Sequence, residues 1–206
     1  MNRSAIIELH FLPSIAWFSI LTKYDICQIE SHESYKKGSY RNRCHILGPN
    51  GLQRLTIPLK KGKNQNSIQK VEIAYDMKWQ KHNWQSIQTA YGKSPFYEYY
   101  VDEIKAAFFK PTLFLFEFNM NLVTTIIELL DIECKFSFNT SFQKEYPKHI
   151  DDFRNIITPK TKIPMQTIKY EQVFEDKFGF VSNLSILDLL FCKGPESILI
   201  LNEMGK

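Results

Sequence analysis

Along the chain the spacing of apolar positions changes several times, and each change marks an element. From about Pro13 to Lys23, Ile15, Phe18 and Leu21 or Thr22 recur at helical spacing, with proline in the first turn where its missing N–H costs nothing. Ile26 to Glu30, Tyr40 to Leu47 and Leu52 to Leu59 each predict a strand. Between the last two, Gly48-Pro49-Asn50-Gly51 predicts a tight turn, because Pro presets φ while Asn and Gly tolerate positive φ; the two strands should form a hairpin. Ile68, Val71 and Ile73, interspersed with charges, predict a further strand over Ile68 to Ala74.

Three helices come next. The first has Asp76 as its N-cap, runs to about Ala90 and is closed by Gly92. Ser94-Pro95 opens the second, which reaches Phe109. The third spans Leu113 to Leu130, with Leu122, Ile126, Leu129 and Leu130 as its core stripe. Residues 139–165 are polar, carry Pro147, Pro159 and Pro164, and read as an excursion. A strand at Thr167 to Val173 and a helix from Asn183 or Leu184 to Phe191 follow. Short strands joined by hairpin turns predict one α+β domain over residues 1–206. Its sheet, from the N-terminal third, is expected to be mostly antiparallel, with helices from the rest packed on it.

Composition narrows the class. With 44% hydrophobic and 14% aromatic residues in 206, the chain can bury a full core and is neither disordered nor low-complexity. The most apolar stretches are interrupted by Glu8, His10, Pro13, Glu117, Asn119 and Asn121, so no membrane span is expected. The N-terminus lacks the pattern of a signal peptide. Cys27, Cys44, Cys134 and Cys192 show no metal-site spacing and read as free thiols, and the expected compartment is the cytoplasm. No metal or cofactor motif is present, and neither is expected.

Charge is unevenly distributed. Ser34 to Val71 contains no acidic residue and nine basic ones: Lys36, Lys37, Arg41, Arg43, Arg54, Lys60, Lys61, Lys63 and Lys70. The other 17 basic residues face 22 acidic ones elsewhere. A local positive field attracts anions, so either an anionic ligand or a merely solvated basic face follows.

No phosphate loop, GxGxxG, GxSxG or HExxH is present, so candidate chemistry rests on weaker clusters. Tyr35, Lys37, Arg41, Asn42 and Arg43 surround a Gly38-Ser39 turn. They suit an oxyanion clamp, or a basic edge that discourages strand aggregation. On a strand Arg41 and Arg43 would share one face and Asn42 the other. His10 sits at a strand-to-helix junction, where it could act as acid or base or be a structural histidine. Lys81 and His82 lie on the helix with Trp79 and Trp84, as a site edge or as plain surface. Tyr91 opens a helix-loop-helix corner. Asp188 is a lone charge in an apolar helix and needs a partner, for which Arg43, Lys37 and His10 are candidates.

Taken together these stretches resemble the WbqC-like protein family. The resemblance is carried by His10-Phe11-Leu12-Pro13 with Trp17-Phe18, Asp25, Tyr35 to Lys37 and Ser39 to Arg43. It continues through Gly48 to Gly51 with Leu55 to Pro58, Trp79 with Lys81-His82, and Tyr91 to Tyr97. It ends on Leu184 to Phe191 with Gly194 to Glu196. The chain departs from that family at Glu8-Leu9, Ser14, Ala16, Ser31-His32 and Tyr40.

The resemblance implies a role in bacterial surface-polysaccharide (O-antigen-type) biosynthesis, with glycine or aminoacyl transfer suggested for some members. The expected function is a transferase or accessory enzyme holding an anionic donor, a nucleotide sugar or activated acyl group, against Lys37, Arg41 and Arg43. His10 or His82 would be the base and Asp188 an orienting group. The alternative is a non-catalytic module that docks to a glycan-assembly protein; RNA ranks lowest, since no RNA-binding motif is present.

Overall fold

The computed structural model describes residues 3–61, 67–161 and 166–205. Lys63 of the basic stretch and Pro164 of the polar segment lie outside them. The chain opens with β1 (Ser4–Glu8), in which Ala5, Ile6 and Ile7 are fully buried. Such a continuous apolar run marks a strand covered on both faces. α1 (Ile15–Leu21), with every residue buried, carries the chain back to β2 (Ile26–Glu30). β2 pairs parallel with β1, from Ser4 opposite Ile26 to Glu8 opposite Glu30.

Two much later strands complete this sheet. β5 (Lys135–Phe138) pairs parallel with β2, and β6 (Ile150–Asp152) pairs parallel with β1. The order is β5-β2-β1-β6, all parallel. The expectation of a mostly antiparallel sheet is therefore wrong. Among the described residues the one antiparallel pair of strands is the hairpin of β3 (Arg43–Gly48) and β4 (Gly51–Thr56), which forms a separate two-stranded unit. Turn residues announce a hairpin locally, whereas parallel partners over a hundred residues apart leave no local signal. β5 and β6, of four and three residues, are too short to show a period.

Other elements shift in smaller ways. The hairpin turn forms as expected, with Gly51 at a φ of +103°. Tyr40–Asn42 is a 3-10 turn rather than the start of a strand. Arg41 consequently turns inward instead of sharing a strand face with Arg43. Ile68–Lys70 is also a 3-10 turn, followed only by isolated bridges from Leu59 to Ile73 and from Glu72 to Phe114. The Thr167 to Val173 segment forms no strand.

The helices α2 (Trp79–Tyr91) and α3 (Tyr97–Phe109) each start three residues after the expected cap, and α4 (Leu115–Leu130) starts two residues after its expected first residue. After α5 (Glu175–Phe178) come α6 (Ile186–Lys193), capped by the Ser185 hydroxyl, and α7 (Ser197–Met204), which the sequence pattern did not predict. Sheet, hairpin and helices contribute to one hydrophobic core, with Phe11, Trp79, Phe108 and Phe118 packed ring to ring. Among the described residues no helix is long and apolar enough to cross a membrane.

The parallel topology has one geometric result that matters for function. All four carboxyl ends lie along one edge, so Glu8, Glu30, Asn139 and Asp152 converge there with the residues that follow them. In open parallel sheets that edge is where ligands bind.

Candidate active site

At the end of β1, Glu8 and His10 are both buried, and His10 Nε2 lies 3.1 Å from Glu8 Oε1. The other Glu8 oxygen accepts the Asn155 backbone N–H at 2.9 Å, and Arg41 Nη1 lies 3.8 Å from Oε1. Burial pushes the Glu8 carboxyl up, but the His10 bond, the charges of His10 and Arg41 and the Asn155 N–H outweigh it, and the net shift is downward. Burial, helped by Arg41, moves His10 down against the pull of Glu8.

The pair at neutral pH is therefore a carboxylate and a neutral imidazole. An ionised carboxylate only accepts, so Nε2 carries the proton and donates it. Nδ1 is left with its lone pair, and it is buried without a hydrogen-bond partner among the described residues. A histidine oriented by a carboxylate, with its other nitrogen free, has the makeup of a general base.

Charged neighbours surround this pair. Arg41 donates through Nε to Glu33 at 2.6 Å and through Nη2 to the second Glu33 oxygen, a bidentate pair. Burial raises the Glu33 carboxyl despite Arg41, and Glu8 and Glu30 add to the rise. Asn119 donates to the Arg41 carbonyl at 2.7 Å and fixes the 3-10 turn. Arg154, beyond β6, donates to Glu30 at 2.9 Å and to Asp152 at 2.7 Å, and stacks on Phe142 and Tyr146. Asn139, beyond β5, accepts from the Ser31 N–H at 2.8 Å.

Beside this cluster lies a cavity of about 460 Å³. Its walls include Ile15, Tyr40, His45, Tyr170, Phe180 and Asn183. The Tyr40 ring is 5.6 Å from the His10 ring, and its hydroxyl is 3.3 Å from His45 Nδ1. Tyr40 thus touches both the fully buried His10 and the cavity.

The remaining predicted residues fall into four places. Tyr35 and Asn42 stay near the cluster: the Tyr35 hydroxyl donates to Asn42 Oδ1 at 3.0 Å, and Asn42 donates to the Ile57 carbonyl. Arg43 begins β3 with its Nε buried and unpartnered, and Lys37 is exposed on the preceding turn. Lys81 and His82 are exposed on α2; His82 lines a shallow groove with Arg54, Gln85 and Ser86, apart from His10.

Asp188 is buried in α6, and its partners are not the cations or His10. It accepts from Tyr170 at 2.6 Å and Gln172 at 2.8 Å, both on Oδ2. Burial raises this carboxyl, and neutral donors only partly offset the rise. Burial and the Asp188 charge hold the Tyr91 phenol protonated. Gln172 also brackets Val181, accepting its N–H and donating to its carbonyl. Asp188 thereby fastens the segment that carries Tyr170, Phe180 and Val181 over the cavity.

Sequence reasoning missed Glu33, Asn155, His45 and Tyr170 as site members, and treated Glu8 as an interruption of an apolar run and a departure from the family pattern. The signal available was Glu8-Leu9-His10 itself, two polar residues closing a continuous apolar strand. Asn155 had none, because β6 was not recognised. Among the described residues no group of His, Cys, Asp and Glu could hold a metal ion.

Comparison with known proteins places these residues among relatives. The model of the WbqC-like protein family matches residues 9–162, a range that includes His10, Arg41, His45 and Asn155 but not Asp188. An uncharacterised protein of Mycobacterium tuberculosis (strain ATCC 25618 / H37Rv) is 28% identical over 92 residues. That stretch is 44% of this chain and 39% of the relative, so the chain spans about two fifths of the length of the curated relative it matches. No solved structure matches the chain.

Proposed function

Because the chain belongs to the WbqC-like protein family, we propose that it is a transferase of surface-polysaccharide biosynthesis in which His10 deprotonates an acceptor hydroxyl or amine. The acceptor then attacks an anionic activated donor, a nucleotide sugar or an activated acyl group such as glycyl, seated in the cavity beside Tyr40. Family resemblance suggests the surface-glycan setting. The chemistry rests on one observation, the buried Glu8–His10 pair with Nδ1 unpartnered at the carboxyl edge of a parallel sheet. Glu8 sets the tautomer and stabilises the imidazolium that forms, as a carboxylate does behind a catalytic histidine. Arg41 supports the site through Glu8 and Glu33, and Asp188 through the cavity wall.

A thermal-shift panel of nucleotide sugars, aminoacyl-adenylate mimics, plain nucleotides and short RNA finds the donor. A ligand at about 100 times its dissociation constant stabilises the fold by roughly 2.7 kcal/mol. His10→Gln keeps an N–H in place for Glu8 but has no basic nitrogen. It is expected to bind the donor and to turn over roughly 10²- to 10⁴-fold more slowly. Turnover equal to wild type would remove His10 as the base.

One observation favours a non-catalytic docking module instead. Tyr75, Met77 and Leu113 are 44%, 63% and 48% exposed, and Tyr75 and Leu113 border a shallow apolar depression. Silence across the whole panel, with capture of a glycan-assembly protein lost in Met77→Asp, would support that reading.

A further inference from the structure

The cation that a donor requires is not Arg41. Its guanidinium is committed to Glu33 and Glu8, as that of Arg154 is to Glu30 and Asp152. The hairpin offers a different set. His45 pairs directly with Arg54 across β3 and β4, and directly opposed residues present their side chains on the same face. Arg43 is two residues from His45 on the same strand, so it lies on that face as well.

Neither Arg43 nor Arg54 has a carboxylate or hydrogen-bond partner among the described residues, and the Nε of Arg43 is buried without one. A buried, unsatisfied guanidinium N–H is costly unless a ligand meets it. His45, between the two arginines, lines the cavity together with Leu52 of the same face.

We propose that Arg43, His45 and Arg54 form an oxyanion subsite at the cavity rim, taking the phosphoryl or carboxylate group of the ligand. This deepens the transferase reading by naming where the donor's charge is held. The Tyr40 hydroxyl and His45 Nδ1 are 3.3 Å apart, so Nδ1 is engaged by Tyr40 and Nε2 is the nitrogen left to meet the anion. Burial, then Arg43 and Arg54, hold His45 below its ordinary value and therefore neutral near pH 7.

An oxyanion between the two arginines cancels their effect and draws a proton onto His45. Doubly protonated, His45 donates through Nδ1 to the Tyr40 hydroxyl and through Nε2 to the anion. The charged and titratable groups around His45 are Arg43 and Arg54 from the hairpin and Tyr40 from the preceding turn. Tyr40 also touches His10, so the subsite and the base are joined through one side chain.

The test is calorimetry with inorganic pyrophosphate and, separately, malonate, each in two buffers of different ionisation enthalpy. Proteins are wild type, Arg54→Ala, His45→Gln and His10→Gln. Arg54 is exposed, so its variant keeps the fold even if one at the half-buried Arg43 does not. Tighter binding of pyrophosphate assigns a phosphoryl group, and tighter binding of malonate a carboxylate. Either is expected to weaken at least tenfold in Arg54→Ala, with proton uptake that disappears in His45→Gln.

Binding by neither anion, or binding unchanged in both Arg54→Ala and His45→Gln, overturns the subsite. His10→Gln separates the two claims. Anion binding retained there with transfer lost supports both, while anion binding with transfer intact keeps the subsite and removes the base.

Discussion

His10 is neutral in the fold because burial and Arg41 oppose its protonation, while Glu8 is ionised because His10, Arg41 and the Asn155 N–H favour the charge. The sign of the pH effect follows. The unfolded chain protonates His10 near its ordinary value of 6.5, above the folded value. Stability from this group is therefore complete above 6.5 and falls as pH drops below it. Urea unfolding of wild type and His10→Gln between about pH 7.5 and 5.5 should show wild type losing more stability, at about 1.4 kcal/mol per pH unit of effective shift. Parallel curves would mean that His10 is not held neutral.

Asp188 gives a second test at this scale. Both donors meet Oδ2, so an asparagine oxygen accepts them equally well while removing a buried charge. Asp188→Asn is expected to match or exceed wild type in denaturant midpoint. Asp188→Ala leaves the Tyr170 hydroxyl proton without its acceptor and takes one acceptor from Gln172, and should cost about 1–3 kcal/mol. A large loss in the asparagine variant would show that the charge itself is required. The sequence made Asp188 conspicuous, because a lone acid in an apolar helix demands a partner. It could not reveal that the partners are neutral, since Tyr170 and Gln172 lie in an irregular segment with no period to place them.

At the scale of elements, local chemistry was readable and long-range pairing was not. The Gly48 to Gly51 turn, the α4 stripe and the break after α2 follow from residue types that permit few alternatives. The parallel sheet does not, because β1 and β6 meet through backbone pairing that neither stretch encodes alone. The segment that read as a polar excursion is tied down by Arg154, whose guanidinium reaches Glu30, Asp152 and the carbonyls of Gln143 and Lys144. Arg154→Ala leaves the Glu30 carboxylate, which is fully buried, without its cation. The expected cost is about 3–5 kcal/mol, and hydrogen exchange should accelerate first over residues 139–155. Exchange that accelerates evenly across the molecule would contradict a local anchor.

For the molecule as a whole, the basic stretch from Ser34 to Val71 was visible in composition, but its roles were not. Folding buries Arg41 against carboxylates from β1 and from the loop after β2, and leaves Arg43 and Arg54 on the hairpin face that carries His45. A positive field therefore survives where a small anion can enter, rather than as a continuous track. Ligand binding should weaken only modestly between about 50 and 200 mM salt, whereas a nucleic-acid interface of 6–10 phosphate contacts would lose roughly 10³- to 10⁵-fold. Titrating the ligand found by the thermal-shift panel across that range distinguishes the two.

The most direct single measurement is the protonation state of His10, read by ¹⁵N NMR of histidine-labelled protein at neutral pH, with His10→Gln assigning the signal. The expected result is a neutral ring with the proton on Nε2 and an unprotonated Nδ1 that gains a proton only below the ordinary histidine value of 6.5. A proton on Nδ1, or an imidazolium already present at pH 7, would contradict a Glu8-oriented base.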